Sequence, residues 1–123
     1  MNQKKYTKIK SNPIKIELIN LSKKLWLESK KGFWKRIMEE LERPTRRERI
    51  VNLSKLDKIC KENEKVLVPG KVLGGGTINK PLTVVAFSFS ESAKQKIEAK
   101  KGKAITLKEF LKNKPTTDYR IIG

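Results

Sequence analysis

The chain has 123 residues, the length of one small domain plus an extension. Thirty Lys and Arg against thirteen Asp and Glu leave it at +17, a charge whose natural counterpart is a polyanion such as nucleic acid rather than a mere halo of solubilising charge. A single cysteine and no histidine exclude an internal disulfide, a thiolate metal cluster and the commonest general base.

Residues 1–12 are polar and basic, with Lys4, Lys5, Lys8 and Lys10, and are expected to be extended or disordered until bound. No apolar stretch follows these lysines, so the segment does not read as a secretory signal. No apolar run approaches the ~18 residues that cross a bilayer. Together these point to a soluble, cytoplasmic protein with no membrane partner. Asn12 and Pro13 predict a helix start, as cap and first turn. The helix runs from Ile14 to about Lys30, with Leu18, Ile19, Leu21, Leu25 and Trp26 near one broad face. Gly32 breaks it. A second helix from Phe33 to Glu42 presents Phe33, Trp34, Ile37, Met38 and Leu41, and Pro44 ends it.

Ile50-Val51-Asn52-Leu53 predicts a short strand. Ser54 and Asp57 resemble a capping box for a helix holding Leu56, Ile59 and Cys60, with the thiol as a small buried side chain. Val66-Leu67-Val68 predicts a strand ended by Pro69-Gly70, and Lys71-Val72-Leu73 leads into Gly74-Gly75-Gly76. Leu82 to Phe89 is apolar and β-branched enough for a central strand. Ser90 caps a helix of about Glu91 to Lys100 that Gly102 closes. Ala104-Ile105 predicts a strand, Thr106 and Glu109 a second capping box, and Tyr119 to Ile122 a terminal strand. The alternation implies mixed α/β: a small domain of irregular strand–strand–helix turns preceded by a basic tail and two helices. The expected divisions are a tail at 1–12, a helical region with an Arg-rich loop at 13–49, and an α/β core at 50–123.

The glycine run is the obvious nucleotide-site candidate, but after Gly70 the sequence reads KVLGGGT, without the Gly-Lys-Ser/Thr of a phosphate loop. A dinucleotide fingerprint counted from Gly74 and Gly76 would need glycine where Asn79 stands. Two readings remain for Gly74, Gly75 and Gly76. They supply a tight connection between strands, or they let backbone approach a phosphate beside Lys71 and Lys80. In the loop after the second helix, Arg43, Arg46, Arg47 and Arg49 cluster around Pro44, and arginine forks suit phosphates and bases. Trp34, beside Gly32 and among basic residues, is the one aromatic read as a base-stacking platform. The others read as core. The carboxylate pair Glu39-Glu40 has no base or metal ligand near it in sequence, so no catalytic residue, metal or cofactor is expected.

The run from Val66 to Ile97 resembles the archaeal and eukaryotic large-subunit ribosomal protein eighteen-e family, which is similar in its core to bacterial large-subunit protein fifteen. The pieces that carry the likeness are Val68-Pro69-Gly70-Lys71-Val72-Leu73-Gly74, Lys80-Pro81-Leu82-Thr83-Val84, Phe87-Ser88-Phe89-Ser90 and Ala93. The Arg-rich loop ahead of Ile50-Val51-Asn52-Leu53-Ser54-Lys55 and the ending Tyr119-Arg120-Ile121-Ile122-Gly123 also fit. Lys101-Gly102 stands where the family commonly shows paired glycines, a departure that bears on one turn. The stop at Gly123, without the long C-terminal extension of eukaryotic members, suggests an archaeal form. The resemblance implies a structural constituent of the large subunit, with large-subunit ribosomal RNA and neighbouring ribosomal proteins as partners, no small-molecule substrate and no catalysis. Two alternatives are a free-standing basic RNA- or DNA-binding module acting off the ribosome, and a nucleotide-dependent enzyme using the glycine loop.

Overall fold

The computed structural model describes residues 13–42, 50–113 and 115–122. The chain divides into two compact units, with the division between Glu48 and Arg49.

In the first unit, helix α1 spans Pro13–Ser29 and α2 spans Gly32–Leu41. Leu18 is buried, and Ser22 beside it is buried with its hydroxyl donating back to the Leu18 carbonyl at 2.9 Å. That bond satisfies the hydroxyl within its own helix. Trp34, Ile37 and Leu41 fall three and four residues apart on α2 and are all buried, as one helical face should be. The expected cap at Asn12 and the loop 43–49 lie outside the described residues.

The second unit is a five-stranded sheet in which every pairing is parallel. Its elements in order are β1 (Ile50–Asn52), α3 (Leu53–Ile59), β2 (Lys65–Leu73), β3 (Thr83–Phe89), α4 (Glu91–Ala99), β4 (Lys103–Thr106), α5 (Leu107–Lys112) and β5 (Arg120–Ile121). β3 lies between β2 and β4. The two shortest strands pair with β2 at different levels: β1 with Lys71 to Leu73, and β5 with Val66 and Leu67. Side chains alternate across a strand. Val66, Val68, Val84 and Ala86 accordingly join Leu53 and Leu56 of α3 and Ala93 and Ile97 of α4 in one core. Leu67 and Val85, one residue out of phase, are also fully buried. Burial of both phases is why these strands read as continuous apolar runs.

The mixed α/β architecture agrees with the sequence reading, and four local details differ. β2 does not stop at Pro69-Gly70 but continues to Leu73. Between the pairs Val68–Ala86 and Lys71–Ser88, β2 carries one residue more than β3. This bulge absorbs a proline that has no N–H to give the ladder. Helix α3 begins at Leu53 rather than being opened by Ser54. The Ser54 N–H bonds the Gly75 carbonyl at 3.0 Å, and the Asp57 carboxylate accepts from Asn79 N–H at 2.8 Å. Helix α4 is capped as expected, with Ser90 Oγ accepting from Ala93 N–H, but Gly102 does not take the left-handed position at its end. Lys101 does, with φ 64°. Finally, the return from β2 to β3 is a nine-residue segment rather than a tight connection between strands. Thr83 pairs with Lys65 at the start of β2, so residues 74–82 must travel back the length of that strand, about 26 Å. Nine helical residues rise only ~14 Å, so an extended segment is the connection that reaches.

Candidate nucleic-acid interface

The glycine run opens that extended return, and its backbone is used within the fold. The segment lies alongside α3 and runs in the same direction. Gly75 meets Ser54, Asn79 meets Asp57, and Pro81 accepts from Asn63 N–H at 2.8 Å. Asn52 Oδ1 accepts from Gly75 N–H at 3.2 Å. Lys96 reaches over from α4 and donates to the carbonyls of Gly74 at 2.8 Å and Gly76 at 2.9 Å. A Cβ on Gly74 would lie 2.1 Å from Ser92 Oγ, and one on Gly75 would lie 2.4 Å from Asn52 Oδ1. Gly76 has φ 81°. Of the two readings left open by the sequence, the structure therefore gives the glycines a conformational and packing reason.

Lys80 differs from expectation. Its ammonium donates to the carbonyls of Asp57 at 2.5 Å and Cys60 at 2.7 Å. These carbonyls lie at the C-terminal end of α3, where a helix leaves its acceptors unpaired and favours a cation. Lys80 is thus a helix cap before it is a phosphate ligand. Trp34 also differs: it is 3% exposed and stands edge-on to Phe33 at 4.9 Å, so no ring face is open to a base. Lys71 is exposed on β2, in register with Ile50 and Ser88. Lys4, Lys5, Lys8, Lys10, Arg43, Arg46, Arg47 and Arg49 lie outside the described residues.

Sequence reasoning missed a second basic region, at the opposite edge of the sheet, where β2, β3 and β4 begin. The end of α4 returns there: Lys103 N–H bonds the Leu82 carbonyl at 2.9 Å. The segment after α3 arrives at the same edge, with Thr83 N–H bonding the Glu64 carbonyl at 3.1 Å. Lys58 and Lys61, in the last turn of α3 and just after it, and Lys100, Lys101 and Lys103, just after α4, are all exposed. Two of the carboxylates near this edge are engaged elsewhere. Glu64 takes an ion pair from Arg120 at 3.2 Å and Asp118 one from Lys65 at 3.0 Å. These exposed ammonium groups have the point-charge character that suits phosphate. Lys58 and Lys61 stand far from Lys100-Lys101-Gly102-Lys103 in sequence, and only the fold brings them to one edge.

Buried Cys60 has its thiol pushed up by desolvation and, after that, by Glu64. It is the protonated core residue that its spacing predicts. Among the described residues no group of three or more His, Cys, Asp or Glu could hold a metal ion, and no helix is long and apolar enough to cross a membrane.

Comparison with known proteins settles the family. The profile of the family described as ribosomal proteins 50S-L15, 50S-L18e and 60S-L27A matches residues 34–105. The chain belongs to this family. Its relatives include three archaeal proteins named large ribosomal subunit protein eL18. That of Sulfurisphaera tokodaii is 52% identical over 67% of this chain and 70% of its own. That of Archaeoglobus fulgidus is 43% identical over 86% of this chain and 91% of its own. That of Methanopyrus kandleri is 42% identical over 91% of this chain and 95% of its own. The match to the L15/L18e/L27A family runs from Trp34 on α2 through the glycine return to Ile105 on β4.

Proposed function

We propose that the chain is a structural constituent of the large ribosomal subunit in the cytoplasm, where it binds and organises large-subunit ribosomal RNA. Neighbouring large-subunit proteins are its other partners, and it catalyses no reaction. The observation that carries this reading is the likeness over most of the chain to proteins named for that subunit. The +17 charge supports it physically, because RNA supplies the phosphates that relieve the self-repulsion. In this reading residues 1–12 act as a basic tail, 13–49 as a helical region with an Arg-rich loop, and 50–123 as the α/β body that sets the spacing of the RNA segments. Lys4, Lys5, Lys8, Lys10, Arg43, Arg46, Arg47, Arg49 and exposed Lys71 contact RNA.

The test is sedimentation of the tagged chain from its own cells in a high-magnesium gradient. It is expected to travel with the large subunit. Recovery only at the top of the gradient would overturn the reading in favour of a nucleic-acid-binding module that works off the ribosome.

A further inference from the structure

The turn after α4 holds a lysine in a backbone conformation that glycine would adopt more cheaply. Lys101 has φ 64°. Gly102 N–H bonds the Ile97 carbonyl at 3.0 Å and Lys101 N–H bonds the Glu98 carbonyl at 3.0 Å. That is the paired-bond closure in which a left-handed residue ends a helix, and glycine is usual there because a Cβ crowds the following carbonyl. The neighbouring glycine cannot exchange places with the lysine. A Cβ at position 102 would lie 2.5 Å from the Leu82 carbonyl oxygen and 3.0 Å from the Ile97 carbonyl oxygen. Position 101 carries no such restriction.

Among the described residues nothing offsets the cost of this lysine. Lys101 is exposed, and its ammonium makes no hydrogen bond or ion pair among the described residues. Lys100 and Lys103 flank it, both exposed, so its charge adds repulsion to backbone strain. Lys58 and Lys61 stand at the same edge of the sheet. A strained residue that the surrounding fold does not reward points to a use outside the fold.

We propose that the turn Lys100–Lys103 is a phosphate-contact site for RNA, with the Lys101 ammonium as its central contact. The inference rests on the RNA-binding reading above and assigns it residues.

The experiment measures two quantities on the full chain: thermal unfolding, and affinity for an in-vitro transcribed large-subunit ribosomal RNA across a salt series. Lys101→Gly relieves the backbone, so its melting temperature is expected to rise by about 2–5 °C. Its affinity should fall about fivefold, and the slope of log affinity against log salt should lessen by about 1. Lys101→Arg should keep the affinity. Lys101→Gln leaves the backbone problem in place, and should lose affinity without the gain in stability. A more stable Lys101→Gly with the affinity and salt slope of the parent would overturn the inference while leaving the RNA-binding reading intact. A Lys101→Gly no more stable than the parent would overturn it too, by removing the strain. A parent chain whose RNA affinity did not respond to salt would sink both.

Discussion

The Lys80 ammonium donates a 2.7 Å hydrogen bond to the carbonyl oxygen of Cys60 and another to that of Asp57, and so ties the strand-to-strand return onto the end of α3. A cation that stands in sequence beside a glycine loop is spent on closing a helix.

Lys80 and Lys71 should therefore behave oppositely. Lys80→Ala leaves two carbonyls at a helix end without their donor and is expected to cost about 1–3 kcal/mol. Lys71→Ala removes an exposed side chain and should stay within about 0.5 kcal/mol of the parent. Urea unfolding of each variant measures this. Equal stabilities would mean that the Lys80 contacts contribute nothing.

Two glycines separate in the same way. At Gly32, in the first turn of α2, a Cβ would meet nothing within 4 Å. Gly32→Ala should stabilise by about 0.5–1 kcal/mol through the lost backbone freedom of glycine. Gly102→Ala drives a methyl into the Leu82 carbonyl and should cost about 1–3 kcal/mol. Thermal melts of the two variants should shift in opposite directions.

What was legible in the sequence was what local chemistry decides. Ser90 and Thr106 cap their helices because each hydroxyl needs only the amide three residues on, and both bonds form, at 3.2 and 3.3 Å. β3 was legible because a run buried on both faces is apolar throughout. What was not legible depends on partners distant in sequence. Pro69-Gly70 reads locally as a stop, yet a bulge carries the strand through it. Lys80 reads as a cation available to phosphate, yet its acceptors lie twenty or more residues away. Trp34 has charged neighbours in sequence, but its position on the buried face of α2 decides its exposure. Lys101-Gly102 contains the expected glycine one place late, because close approach to Leu82 claims it.

Two carboxylates that hold the C-terminal segment make stability depend on acid pH. Glu64 lies below its ordinary value of 4.5, chiefly through the Lys61 backbone N–H and then Arg120. Asp118 lies below its ordinary value of 3.8, chiefly through the Thr116 hydroxyl and then Lys65. Groups lowered on folding add stability that is present above their unfolded values and lost as pH falls through the folded ones. Stability should thus be level from neutral pH down to about 5 and decline below about 4. The double variant Glu64→Gln/Asp118→Asn should show a shallower decline, modest in size because both ion pairs face solvent. Chemical denaturation at a series of pH values checks it, and identical profiles would show that the two pairs do not contribute.

The extended return from β2 to β3 is anchored at Ile78, which is 2% exposed and belongs to the same core as Leu53, Leu56 and Leu82. Its hydrogen bonds tie it to α3, but their acceptors and donors would be satisfied by water if the segment lifted away. The apolar side chain is what such lifting would expose. Ile78→Ala should therefore act as a core truncation, costing about 2–4 kcal/mol and lowering the melting temperature by at least roughly 10 °C. Ile50, 59% exposed on β1, provides the comparison, and Ile50→Ala should change stability by no more than about 0.5 kcal/mol. Hydrogen exchange adds a local readout. The Asn79 N–H, held by Asp57, should exchange much faster in Ile78→Ala, because the segment then opens without breaking the sheet. A variant that melted with the parent and protected the Asn79 amide equally well would show that the return is held by its hydrogen bonds alone.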